Sequence, residues 1–243
     1  RAVMLDHLYV ADPARPVRGP EPPRPGTQAD APPPSPLGEL REALATALEK
    51  TNATRGYPGL DGKPVVLHVL HGWGGGTERF VRDLASADGD RHHLALVARG
   101  SGARRRHGET LQLLDAAMSK PPLRESNLAD PIASTALTHR GYREFLDRVR
   151  CEFNVDAVVV SSLIGHSLDV LRTGMPTTYF IHDFYPLWPL LHRNLDDVGV
   201  NFDAAQLRTD LANADAAFEF AERDPDWWLN LREMFADAAL AAN

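Results

Sequence analysis

Residues 65–79, VVLHVLHGWGGGTER, constrain the chain more than any other stretch. An apolar, strand-forming run that ends in His71-Gly72 has the length and β-branched content of a strand buried in a parallel sheet, and it is expected to be the first strand. Gly74, Gly75 and Gly76 then let the backbone take positive φ and come close to a ligand. Thr77 has the chemistry of a helix cap, and Phe80, Val81, Leu84 and Ala85 fall on one face of the helix it would start. Free N–H groups and the positive end of a helix dipole are thereby aimed at one spot, which suits a phosphate or a carboxylate. A tight strand-to-helix turn with no ligand makes the same demands on sequence. The spacing is not the G-x-G-x-x-G of dinucleotide folds.

Upstream of that stretch, residues 1–11 are short and partly apolar and are expected to belong to an upstream element. Residues 12–36 are dense in proline, a composition that favours extended conformations and cannot form a core, so they are expected to be a linker. Leu37, Leu40, Leu44, Ala47 and Leu48 stand at helical spacing and predict an amphipathic helix over 37–50, opening a Rossmann-like domain that spans 37–243.

Downstream, residues 94–98 predict a second strand and residues 108–114 a half-exposed one, with Leu111 and Leu113 alternating with polar neighbours. Residues 119–137, with Pro121-Pro122 and Asp130-Pro131, predict irregular structure. Tyr142, Phe145, Leu146, Val149 and Phe153 predict a helix over 139–153, ended by Asn154. Residues 155–161 form a second buried apolar strand, with Ser162 as cap of a helix running to about Arg172 that Gly174 and Pro176 terminate. A strand over 177–181 leads into His182-Asp183 and the aromatic loop Phe184-Tyr185-Pro186-Leu187-Trp188. A helix over 204–221 and one capped by Asp224, with Pro225 first and Trp228, Leu231 and Phe235 inward, close the chain.

Strands alternating with helices define an α/β class with a parallel sheet flanked by helices. In such sheets ligands bind outside the carboxyl ends of the strands, so the loops at 71–78, 161–162 and 182–188 should converge on one rim.

Composition bounds the partners. The 243 residues suffice for one large α/β domain with a full core. A net charge of −7 gives a nucleic-acid role no electrostatic support. The basic run Arg104-Arg105-Arg106 lies among Gly and Ser and is expected to be a solvated loop. Cys151 is the only cysteine, which excludes an internal disulfide and a Cys-rich metal site and fits a reducing compartment; within a helical pattern it is expected to be a buried structural thiol. No run approaches the roughly 20 apolar residues that cross a bilayer, and no signal-peptide core opens the chain, so a cytoplasmic location is expected. The first residue is Arg1 rather than Met, as expected of a piece of something longer.

Two resemblances follow from the motifs. His71-Gly72-Trp73-Gly74-Gly75 is similar to an α/β-hydrolase oxyanion loop, and Gly165-His166-Ser167-Leu168 to most of a nucleophile elbow. Against an esterase, Ser167 is expected inside a helix, with Asp169 where the elbow needs glycine, and a triad would have to draw on His182, Asp183 and His192.

The stretches 68–80 (HVLHGWGGGTERF), 159–169 (VVSSLIGHSLD) and 181–189 (IHDFYPLWP), in that order and spacing, resemble the N-terminal half of retaining GT-B glycosyltransferases of the group 1 type, family 4. The resemblance spans about 63–243. It implies two Rossmann-like domains facing across a cleft, with the acceptor held by the first and the nucleotide-sugar by the second, and transfer without a metal or other cofactor. The donor-binding Glu-x7-Glu region of the second domain has no counterpart, so an isolated acceptor-side domain, inactive alone, is expected.

The same resemblance implies the roles of individual residues. Gly74, Gly75, Gly76 and Thr77 would approach the donor diphosphate. His182 would contact the transferred sugar or its phosphate, and Asp183 would accept a hydrogen bond or act as a weak base. Glu78, Trp73, Phe184, Tyr185 and Trp188 would meet a glycan or lipid-linked acceptor, in cell-surface polysaccharide synthesis at the inner face of the membrane. Plainer roles stay open beside these: a buried histidine for His182, loop packing for the aromatics, and caps or packing for Ser161, Ser162 and His166. His68, alternating with apolar neighbours, is expected in the core. A non-catalytic module whose glycine loop holds an anion or nucleotide-sugar is a third reading.

Overall fold

The structure, a computed structural model, describes residues 62–100, 107–191, 203–214 and 218–242, all within the unit Thr51–Asn243. The upstream segment, the proline-rich linker, the helix expected over 37–50 and the basic run at 104–106 lie outside those residues.

Strand β1 (Val65–His71) is buried along its whole length. It pairs in parallel with β2 (His92–Arg99) on one side and β6 (Val155–Val160) on the other, and β6 pairs in parallel with β8 (Thr177–Tyr179). Two further strands, β3 (Gly108–Asp115) and β4 (Arg124–Ile132), add antiparallel to β2, giving the order β4-β3-β2-β1-β6-β8. A short parallel pair, β5 (Thr135–Ala136) and β7 (His166–Ser167), lies apart. The fold is therefore α/β with a mostly parallel six-stranded sheet, compatible with a Rossmann-like architecture.

Helix α1 (Gly75–Ala87) covers one face through Val81 and Phe80 against Leu70, Ala95 and Val97. The other face carries α2 (Arg140–Phe153), α3 (Ala204–Asn213) and α4 (Pro225–Ala241) in one large cluster. Tyr142, Phe145, Leu146, Val149 and Phe153 form the inward stripe of α2. Its ends are fixed by His139, whose side chain accepts from Tyr142 N at 3.0 Å, and by Asn154 in the left-handed region. Asp224 caps α4 by accepting from Asp226 N, with Pro225 in the first turn.

Several expectations are corrected. Residues 124–132 are an edge strand rather than irregular chain; polar cross-strand pairs, Thr110 Oγ1 to Asn127 Oδ1 and Gln112 Nε2 to Glu125 Oε2, replace the apolar alternation that marks most strands. An edge tolerates Pro131, which lacks an N–H. The helix expected after Ser162 is instead a 3-10 helix, Leu168–Arg172, capped by Ser167, so Ser167 is not mid-helix. The strand expected to reach 181 ends at Tyr179, and the helix expected to reach 221 ends at Asn213. Cys151 is exposed, because it falls off the inward stripe of α2.

Candidate functional site

The sheet order changes direction at β1, with β2 on one side and β6 on the other, and such a switch point opens a crevice at the strands' carboxyl ends. The three expected loops meet there. Ser161 N and Ser162 N both donate to Val69 O, at 2.8 and 3.2 Å, and Gly72 N donates to Ala98 O at 2.8 Å. Phe80 on α1 packs edge-on against Phe180 and His182, with ring centroids 5.0 and 4.9 Å away.

Gly74 and Gly75 both have φ of 77°, a conformation costly for any residue with a Cβ. Helix α1 starts at Gly75 with Gly74 as its cap, which corrects the assignment of the cap to Thr77; no side chain caps this end. A Cβ on Gly75 or Gly76 would meet nothing within 4 Å. The first turn of α1 is thus uncapped and open. Glu78 curls back towards Gly74, its Oε2 3.9 Å from where a Cβ there would stand, and pairs with Arg82 at 3.3 Å.

His182 is exposed at the rim, and partial desolvation lowers its pKa, with Asp183 acting in the opposite sense. Its imidazole is neutral at pH 7, so it offers a hydrogen bond and not a charge. Asp183 Oδ1 accepts from Tyr185 N at 2.9 Å and so shapes the turn that follows.

The aromatic loop divides. Phe184 is half-buried, whereas Tyr185 and Trp188 lie in the core, which corrects their assignment as acceptor faces. Tyr185 stacks on Phe220 at 5.1 Å and shares a 2.6 Å hydrogen bond with Thr135 Oγ1; Trp188 Nε1 donates to Asp210 Oδ2 at 3.2 Å. Both rings have the surroundings of packing residues.

Ser167 Oγ is buried, donates to Asp169 Oδ2 at 2.7 Å and accepts from Asp169 N. Neighbouring His166 is committed elsewhere: Nε2 donates to Leu70 O at 2.9 Å, which leaves Nδ1 to accept from Tyr142 OH at 3.0 Å. Ser167 has the geometry of a cap and not of an activated nucleophile.

Three rim residues carry more than their sequence context indicates. Arg99, at the end of β2, donates from Nη1 to Gly72 O at 3.0 Å and from Nε to Gln112 Oε1 at 3.1 Å. It lies so close that a Cβ on Gly72 would stand 2.7 Å from its Cδ. His71 and His107 flank Trp73, and burial holds both imidazoles below the ordinary histidine pKa, His71 at about 4. In the sequence, His71 and Arg99 are marked only by standing at the ends of strand-forming runs, and nothing local marks His107.

Among the described residues no group of three or more His, Cys, Asp or Glu is placed to hold a metal ion, and no helix is long and apolar enough to cross a membrane. No protein-family model matches the chain, and no curated protein or solved structure matches it significantly.

Proposed function

We propose that this chain is the acceptor-side half of a retaining GT-B glycosyltransferase, which moves a sugar from a nucleotide-sugar to a glycan or lipid-linked acceptor. One observation carries the proposal: at the switch point between β1 and β6, a helix begins with an uncapped, glycine-built turn, and the space over Gly75 and Gly76 is unfilled. An uncapped helix N-terminus is a ready site for a diphosphate, and its N–H groups stabilise the charge that develops as the diphosphate leaves. Neutral His182, packed against Phe80 of the same helix, hydrogen-bonds the transferred sugar or its phosphate. Arg99 pins the glycine turn from below through Gly72 O. The donor's nucleoside would be held by a second domain of the parent chain, and the setting would be the cytoplasm at the inner face of the membrane.

Gly76→Val and His182→Ala in the full-length parent test the site. Gly76 lies within α1 without a positive φ and with open space about it, so valine there fills the approach to the N–H groups without straining the backbone. Each variant is expected to cut sugar transfer tenfold or more, about 1.4 kcal/mol in the barrier, without lowering the melting temperature. Full transfer by both would refute the site. Nucleotide-sugar binding without transfer in the wild type would favour a binding module.

A further inference from the structure

Trp73 is held between two buried imidazoles with much of its ring facing solvent. Its side chain is in neither apolar cluster, and the residue is 43 % exposed. Its backbone N–H donates to His71 Nδ1 at 3.2 Å. Its indole lies 4.8 Å from the His71 ring at 36° and 5.0 Å from the His107 ring at 69°. His107 is anchored in turn, with Nε2 donating to Glu219 O at 3.0 Å and its ring edge-on to Phe220. An indole held between two rings yet left 43 % exposed presents an open, ordered aromatic face, which suits a ligand.

The two imidazoles give the platform its polar character. Nδ1 of His71 accepts the Trp73 N–H, so in the neutral ring the proton sits on Nε2; His107 donates from Nε2, so its Nδ1 carries a lone pair. Among the described residues, neither His71 Nε2–H nor His107 Nδ1 has a hydrogen-bond partner. An indole flanked by one neutral donor and one neutral acceptor matches a ring with an apolar C–H face and hydroxyls that both donate and accept. The two flanking imidazoles themselves bring hydrogen bonds and not charge, and the Arg99 guanidinium nearby is engaged by Gly72 O and Gln112 Oε1.

We propose that Trp73, with His71 Nε2–H and His107 Nδ1 beside it, seats a neutral polyhydroxylated ring, a pyranose of the acceptor. The word acceptor rests on the transferase proposal; the seat itself requires only that a sugar binds.

The test is titration of the nitrogen-labelled 243-residue chain with the methyl pyranosides of glucose, galactose and mannose, following the tryptophan indole signals by NMR. The Trp73 signal is identified by its loss in Trp73→Phe. Uridine and guanosine diphosphate are titrated separately, following the Gly75 and Gly76 amides. At least one glycoside should shift the Trp73 indole saturably. Calorimetry should then show binding about tenfold weaker in Trp73→Ala and nearly intact in Trp73→Phe, with equal melting temperatures. No saturable shift with any glycoside, or undiminished binding by Trp73→Ala, overturns the seat. Glycoside binding with no transfer by the parent chain leaves the seat standing and defeats the transferase proposal, whereas transfer that Trp73→Ala leaves unchanged does the reverse.

Discussion

Gly165 and Gly76 show opposite uses of glycine. At Gly165, φ is +80° and a Cβ would stand 2.5 Å from His107 O and 2.8 Å from Ala98 Cβ, both parts of a packed crossing. Gly165→Ala is expected to destabilise the fold by about 2–4 kcal/mol, read as a lower denaturant midpoint at constant m. At Gly76 nothing is crowded, and Gly76→Ala is expected to stabilise by about 0.5–1 kcal/mol in the same experiment. The sequence alone could not tell these cases apart, because the neighbours that crowd Gly165 are Ala98 of β2 and His107 just before β3, both remote in the chain. His68 was legible as a core residue from its alternation, and it is fully buried. Its Nε2 lies 2.9 Å from His93 Nδ1, and His93 Nε2 lies 3.4 Å from Asp88 Oδ2, an ion-pair distance without hydrogen-bond alignment. Burial, reinforced by His93, lowers the His68 pKa to about 4 from 6.5. The native state then binds fewer protons than the unfolded one, so this contribution to stability is complete above about pH 6.5 and is lost as pH falls towards 4, by up to about 1.4 kcal/mol per unit. His68→Leu should flatten that part of the stability–pH curve, and an unchanged slope would assign the acid lability to other groups.

Elements whose signals are local were the legible ones. In α2, a five-residue apolar stripe, a capping side chain and Asn154 in the left-handed region all agree, and the helix stands within a residue of its expected bounds. In α4, Asp224 and Pro225 marked the start; Asp224→Ala is expected to cost about 1 kcal/mol in thermal or denaturant unfolding. Where pairing decides, sequence was silent. The polar edge strand β4 exists because β3 offers it backbone partners, and its Thr110–Asn127 and Gln112–Glu125 pairs are visible only once the register is known. Ser162 and Ser167 have equal capping chemistry. The cap fell on Ser167 because Ser161 N and Ser162 N are held by Val69 O, while Asp169 is drawn to Thr138 and His139 N. The aromatic loop failed for a related reason: Tyr185 and Trp188 are claimed by Phe220, Thr135 and Asp210, residues remote in sequence.

For the whole molecule, the α/β class and the gathering of strand ends on one rim followed from alternation and topology rules, and the structure has both. An all-parallel sheet did not follow, since β3 and β4 turn back antiparallel at one edge. At the rim, Phe80 of the helix that follows the glycine turn packs on His182, Arg99 holds Gly72 O, and His71 and His107 flank Trp73. Sugar transfer from a nucleotide-sugar is the central claim, and a donor screen on this chain together with the second domain that the proposal assigns to it, read by product mass, tests it most directly. The account predicts that one donor adds a single glycosyl residue to an acceptor with the anomeric configuration retained. Failure of every nucleotide-sugar to yield a glycosylated product, or a product of inverted configuration, would contradict it.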